Sequence, residues 1–227
     1  MQVQNKKSRL ITRISTERLS SYGNLTHDPL ESVIAKYLWN CALSETLYQS
    51  LHWLEIALRN NIYFAASQSL GSSWLTNGQL LYPEQKQVDE AIERLKKEGK
   101  GTMAADITAA LSFGFWTSLF RKDYEQVLRA IIPRAFPYVT PASDRTRKNI
   151  SDRLNTIRKF RNRIFHFEPI TKYKPEIRYG EIKQTIEWMA PELVLFLELN
   201  CGFTNEFQKG EQHYLIDATK ILSNYEP

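Results

Sequence analysis

The chain of 227 residues has 30 Lys or Arg against 25 Asp or Glu, a formal net charge of +5 at pH 7, and a hydrophobic fraction of 42%. This composition is typical of a globular protein and excludes a disordered chain. No apolar stretch approaches the roughly 20 residues that a membrane span requires, so no membrane association is expected. With only nine Gly and nine Pro, the sequence favours long helices over a turn-rich β-sandwich.

Cysteine and histidine usage narrows the function classes further. Cys41 and Cys201 lie far apart, form no metal-binding or redox spacing, and are expected to be small buried side chains. The four histidines are scattered without clustered carboxylates, so neither a metal nor another cofactor is expected. No apolar run follows the basic N-terminus, so we predict no secretory signal and a cytoplasmic location.

Two regions are expected from the distribution of polar residues. Residues 1–27 are polar and basic, and we predict an arm with one short helical turn at 16–19. Residues 28–227 are predicted to form a single domain. Nothing in the chain alternates convincingly with a period of two, so the predicted fold class is all-α.

The segment 30–70 contains no Gly or Pro and begins after Asp28 and Pro29, a typical helix start. One long helix or two helices with a bend near 44–50 fit it equally well. Within it, Glu55 and Arg59 lie on one helical face. A structural ion pair and a functional role both fit this pair.

The remaining elements are read from helical spacing and from Gly and Pro positions. An aromatic cluster at 112–116 is expected in the core or in a subunit interface, and 133–141 is expected to be a loop because prolines bound it. Pro191 is expected to kink or divide the helix that contains it. The predicted helices are 83–98, 102–111, 123–130, 144–168, 180–200 and 211–222.

The basic character of the chain is concentrated at 144–163. This span has eight Lys or Arg and two Asp, a local charge of +6, which leaves about −1 for the remainder. Such a concentration favours a polyanionic partner such as RNA, and a solvated basic face is the plainer alternative. The residues expected to attract RNA are Arg153, Arg158, Lys159 and Arg163.

Arg161 interrupts the apolar face of the same helix. It lies four residues after Ile157 and three before Ile164, in a stripe that begins at Ile150 and Leu154. A guanidinium at such a position is costly unless it is paired or has a function.

Arg161 and His166, with four residues between them, carry side chains suited to metal-free RNA cleavage. This reaction needs a base for the 2′-OH proton, a cation for the phosphorane oxygens and an acid for the leaving 5′-oxygen. Histidine, with an ordinary pKa of about 6.5, suits the acid or base role, and arginine grips phosphate oxygens with two parallel bonds. Asn162 is expected to orient the His166 ring or to donate to the phosphate.

Helix geometry limits how this pair can act. An ideal helix separates Arg161 and His166 by about 140°. They meet at one phosphate only if the helix ends at His166 or if two copies of the motif converge in a dimer, and we favour both. A histidine at a helix C-terminus also interacts favourably with the helix dipole without any catalysis.

The sequence around His166 resembles a known family signature. Residues 161–166, Arg-Asn-Arg-Ile-Phe-His, followed by Glu168 and Pro169, are similar to the signature of the Abi-like (abortive infection, phage-resistance) family in the HEPN superfamily. Three further stretches resemble the same family in the expected order: 18–22 (Arg-Leu-Ser-Ser-Tyr), 54–60 (Leu-Glu-Ile-Ala-Leu-Arg-Asn) and 111–116 (Leu-Ser-Phe-Gly-Phe-Trp).

The resemblance implies an all-α antiparallel helical bundle of HEPN type with additional helices, acting as a homodimer with a composite site. It also implies metal-independent ribonuclease activity on host or phage RNA, with Arg161 and His166 as the catalytic pair and Asn162 between them. Family members often have a second histidine directly after the first, where this chain has Phe167. The supporting residues are Glu55, Arg59, Asn60 and Glu168.

We therefore expect a cytoplasmic endoribonuclease of defence or toxin type that acts on RNA without a cofactor, with a cognate antitoxin as a further partner. One alternative is a non-catalytic HEPN-like module that binds RNA or nucleotides. Another is a toxin–antitoxin interaction module that uses the aromatic cluster around Phe115 and Trp116.

Overall fold

The computed structural model describes residues 2–224, including the side chains of residues 7–223. This part of the chain contains α-helices, four short 3-10 helices and no strand, which confirms the all-α class. It also contains no helix that is long and apolar enough to cross a membrane. The α-helices are α1 (Gln2–Ile14), α2 (Thr16–Ser20), α3 (Leu30–Leu70), α4 (Tyr82–Lys97), α5 (Ala104–Ala110), α6 (Phe113–Ser118), α7 (Glu125–Ala135), α8 (Arg147–Phe165), α9 (Pro175–Met189), α10 (Pro191–Asn200), α11 (Phe203–Lys209) and α12 (Leu215–Asn224).

The helices are grouped into two compact units. The first unit comprises the chain up to Gln49, Asn162–Tyr179 and the chain from Cys201 onward, and the second comprises Ser50–Arg161 and Gly180–Asn200. Helices α3 and α8 contribute residues to both units, because a unit boundary lies within each. The predicted division into an N-terminal arm and a single domain stays a prediction.

The N-terminal helices of the first unit pack against a small apolar core. Leu19 of α2 is fully buried, and Leu10, Ile11 and Ile14 of α1 pack against the same core. The turn expected at 16–19 is confirmed by α2, whereas α1 was not predicted. These three residues of α1 share one helical face, and packing of that face stabilises a helix whose composition is mostly polar.

The segment 30–70 forms one continuous helix, α3, which decides between the two alternatives that the sequence left open. The chain leaves α3 at Gly71, whose φ of 90° suits glycine because it has no Cβ. The helix buries leucines along its length in both units. Fully buried examples are Leu43, Leu47, Leu54 and Leu58.

Both cysteines are more accessible than expected. Cys41 of α3 is exposed and Cys201 is partly exposed, so the prediction of two buried side chains was wrong. The Cys201 thiol donates to the carbonyl of Thr46 at 3.4 Å, and Cys41 lines a cavity that is described below.

The aromatic cluster lies in the core of the second unit. Phe115 and Trp116 are fully buried and Phe113 is 3% exposed, which confirms the core interpretation. The loop predicted from 133 onward was wrong at its start, because α7 continues through Pro133 to Ala135. Burial of Ile131, Ile132 and Ala135 stabilises the end of α7 although Pro133 has no N–H to donate.

The predicted helix at 180–200 is divided, as Pro191 suggested. Helix α9 ends at Met189 and α10 begins at Pro191. Helix α9 also begins earlier than predicted, at Pro175, because proline is favourable at the first position of a helix.

A buried carboxylate joins α4 to the segment after α6 within the second unit. Glu84 is 1% exposed, and its Oε2 accepts hydrogen bonds from Arg121 Nη2 and from the Tyr124 hydroxyl, each at 3.0 Å. The Tyr124 hydroxyl in turn accepts from the Leu81 N–H at 2.9 Å. Burial raises the pKa of Tyr124 to about 12, so the hydroxyl remains protonated and donates to Glu84 at neutral pH.

We expect Glu84→Ala to lower the free energy of unfolding by about 2 kcal/mol, because it removes the shared acceptor of a cation and a buried hydroxyl. Urea denaturation measures this change. The matched control is Glu90→Ala on the same helix, whose exposed carboxylate lies 3.7 Å from Lys86. That change is expected to stay within about 0.5 kcal/mol. Equal losses in the two variants would contradict the structural role of Glu84.

Candidate functional site

Helix α8 ends at the histidine of the predicted motif. The His166 N–H donates to the Asn162 carbonyl at 2.9 Å, and the Phe167 N–H donates to the Ile164 carbonyl at 3.0 Å. Phe167 adopts the left-handed conformation, with φ of 56°. His166 is therefore the last residue to close a helical turn, and its side chain is exposed.

The backbone of Glu168 completes this helix end. Its N–H donates to the Arg163 carbonyl at 2.8 Å, which together with the Phe167 bond forms a Schellman motif. The side chains of the same two residues form an ion pair at 2.6 Å. The Arg163 guanidinium also lies 3.8 Å from the centre of the Tyr173 ring. Arg163 and Glu168 therefore stabilise the helix end directly.

Two side chains from other helices hold the backbone after His166. Arg18 Nη1 of α2 donates to the Phe167 carbonyl at 2.6 Å. On α3, Asn40 is 3% exposed, and its Oδ1 accepts from the Ile170 N–H at 2.7 Å. Its Nδ2 donates to the Glu168 carbonyl at 3.5 Å, a weaker contact. The segment that carries His166 is thus fixed by the side chains of α2 and α3.

Next to this segment is a cavity of about 390 Å³ whose lining residues all belong to the first unit. The Tyr22 and Tyr37 rings meet edge to face with centroids 5.3 Å apart. Partial loss of hydration against the cavity wall raises the pKa values of Tyr22, Tyr37 and Cys41, and the Arg18 guanidinium opposes each rise. These three groups are therefore neutral at pH 7. Residues that line the cavity include Arg18, Tyr22, Tyr37, Asn40, Tyr48 and Phe167.

Arg161, the other half of the predicted pair, belongs to the second unit. Its Nη2 lies 3.5 Å from Glu55 Oε2, and the two side chains are 26% and 29% exposed. Its guanidinium also lies 5.8 Å from the centre of the Phe113 ring. The carboxylate on α3 explains how a cation is accommodated in the apolar face of α8, and part of the Arg161 side chain remains accessible to solvent.

The other supporting residues on α3 differ from Glu55. Arg59 is partly exposed and Asn60 is exposed, and neither forms an ion pair or a side-chain hydrogen bond within residues 7–223. The structure therefore brings Glu55 to Arg161 and leaves Arg59 and Asn60 at the surface of α3.

The four predicted RNA-binding residues fall into two groups. Arg153 and Arg163 have partners within the protein: Arg153 Nη1 donates to Gln184 Oε1 at 2.9 Å, and its guanidinium lies 4.9 Å from the centre of the Trp188 ring. Lys159 is exposed, Arg158 is partly exposed, and neither forms an ion pair with a described residue. Lys159 and Arg158 are thus the members of the set whose charges are accessible.

Sequence reasoning missed two residues of this site. Arg18 lies in a stretch that supported the family resemblance, but it received no role. Asn40 is a poor helix former in the middle of an apolar helix, which is the one sequence signal that marks it. In the part of the chain that the structure describes, no group of three or more His, Cys, Asp or Glu is arranged to hold a metal ion.

Comparison with models of protein families, with curated proteins and with solved structures finds no match to this chain.

We expect Asn40→Ala to lower the free energy of unfolding by about 1–3 kcal/mol, because the buried Ile170 N–H loses its acceptor. The matched control is Asn61→Ala on the same helix, whose amide donates only to the Ala57 carbonyl at 2.9 Å. A smaller loss, under about 1 kcal/mol, is expected for the control. Chemical denaturation of both variants measures the difference. If Asn40→Ala lowers the free energy of unfolding no more than Asn61→Ala does, Asn40 does not hold the backbone after α8 as proposed.

Proposed function

We propose that this chain is a metal-independent endoribonuclease of abortive-infection or toxin type, built as a HEPN-type helical bundle. The observation that carries the proposal is the exposed His166 side chain at the end of α8, on a backbone held by Arg18 and Asn40. An imidazole that is open to solvent, on a backbone that is held in place, can reach a bound phosphodiester.

In the proposed reaction the 2′-oxygen of a ribose attacks the adjacent phosphorus. A new P–O2′ bond forms and the P–O5′ bond breaks, which leaves a 2′,3′-cyclic phosphate and a 5′-hydroxyl. His166 transfers a proton as general base or acid, and Arg161 stabilises the negative charge that develops on the phosphorane oxygens. Glu55 keeps the Arg161 guanidinium oriented, and Asn162 supports the imidazole.

A homodimer with a composite site is part of the proposal, because one histidine cannot serve as base and acid in the same step. A second copy of His166 supplies the other proton transfer. An apolar surface that favours association is present on α10, where Leu195, Phe196 and Leu199 are 61%, 50% and 83% exposed.

We expect His166→Ala to reduce cleavage of a single-stranded RNA by about 100-fold or more, because general acid–base catalysis typically contributes that much. Gel analysis of purified protein with labelled RNA measures it, in buffer with EDTA. His27→Ala is the matched control, since His27 is also exposed and lies outside the cavity lining. The control is expected to cleave like the wild type.

Three results would contradict the ribonuclease proposal. The first is cleavage that EDTA abolishes, and the second is cleavage that survives in His166→Ala. The third is RNA binding by the wild type with no cleavage, which favours the non-catalytic module. Expression in a bacterial host provides an independent readout: wild-type protein should slow growth, and equal growth of cells with His166→Ala would count against the toxin.

RNA binding by His166→Ala protein should weaken steeply as salt rises, because cations that contact phosphates release counterions. Replacing the exposed Lys159 by Ala is expected to reduce the slope of log affinity against log salt by about 1. The control Lys97→Ala changes another exposed lysine, at the end of α4, and is expected to leave the slope unchanged. Identical slopes for all three proteins would show that Lys159 does not contact RNA phosphates.

A further inference from the structure

The cavity beside the His166 segment has the size and the walls of a nucleotide-binding pocket. Its volume of about 390 Å³ lies within the range of roughly 300–1,000 Å³ that is usual for small-molecule sites. Two of its aromatic rings are accessible: Tyr48 is 40% exposed and Phe167 is 66% exposed. Proteins that bind single-stranded RNA commonly stack unpaired bases on aromatic rings of this kind.

A buried polar group in the cavity wall lacks a well-aligned partner. Tyr22 is 6% exposed, and its hydroxyl lies near the Asn40 side chain without forming a well-aligned hydrogen bond to a described residue. An unsatisfied buried hydroxyl is costly, so a ligand that bonds to it gains affinity. The Tyr22 hydroxyl is therefore a polar group of the cavity wall that a ligand can satisfy.

The charged groups of the cavity indicate which occupant fits. Glu45 lines the cavity, is exposed, and forms no ion pair within residues 7–223. A carboxylate only accepts hydrogen bonds. Guanine presents two adjacent donors, N1–H and the N2 amino group, whereas the other RNA bases present a single donor group beside an acceptor. Arg18 also lines the cavity and supplies the cation that a nucleotide phosphate requires.

We propose that this cavity binds a guanine nucleotide, with the base between Tyr48 and Phe167 and its donor edge on Glu45. Phe167 directly follows His166, so the bound guanosine is the nucleotide next to the phosphate on which His166 acts. This last assignment rests on the proposed ribonuclease function, whereas binding of the guanine nucleotide does not.

The binding test uses full-length His166→Ala protein, so that no cleavage interferes. Isothermal titration calorimetry with GMP, AMP, CMP and UMP is expected to show the tightest binding for GMP. Glu45→Gln should weaken GMP binding about 10-fold to 100-fold, the usual contribution of a bidentate base contact, and should leave AMP binding unchanged. Tyr48→Leu should weaken binding of all four nucleotides. Glu17→Gln, an exposed carboxylate of α2 outside the cavity, is the matched control.

Equal affinities for the four nucleotides, or GMP binding that is insensitive to Glu45→Gln, would overturn the proposal. A cleavage test on wild-type protein then distinguishes RNA from a free nucleotide as the source of the guanine. Cleavage beside G in short RNAs, lost in Glu45→Gln, supports RNA. GMP binding without any cleavage supports a free-nucleotide site and overturns the ribonuclease alone.

Discussion

The candidate site depends on the hydrogen bonds between the Asn40 amide and the backbone after α8. A buried side-chain amide must have its hydrogen bonds satisfied, and this one finds its partners in the backbone at Glu168 and Ile170. Because both partners follow α8 directly, satisfying the amide also fixes the path of the chain where the helix ends. The exposed side chain of His166 is presented from a backbone that is fixed by the interior of the first unit.

The basic residues of α8 differ in their surroundings. Arg153 and Arg163 contact aromatic rings and neighbouring acceptors of their own unit, and Arg161 is paired with Glu55. A guanidinium in such contacts stabilises packing through its planar face and several donors. The local charge of +6 therefore overstates the number of cations that are accessible to a ligand. Lys159 is exposed, whereas Arg153, Arg161 and Arg163 contact partners within the protein.

Sequence patterns were sufficient for the helices whose apolar spacing is regular. The stripe of Ile150, Leu154, Ile157 and Ile164 is buried, and the odd position of Arg161 within it correctly signalled a need for a partner. Helix α1 was missed because its stability comes from tertiary packing of a short apolar face. The cavity and the hydrogen bonds of the Asn40 amide were missed for a similar reason. Their residues come from α2, α3 and the segment after α8, and no local sequence pattern indicates such long-range contacts.

Phe167 has a consequence for proton movement at this helix end. Histidine and asparagine adopt the left-handed conformation more readily than a large apolar residue does, so the backbone at 167, with φ of 56°, would suit a histidine better than the phenylalanine that occupies it. The phenyl ring here cannot titrate. Each polypeptide therefore offers a single ionisable ring at this position, and under the proposed mechanism its catalytic cycle must return that ring to its starting protonation state by exchange with solvent water or with a second protomer.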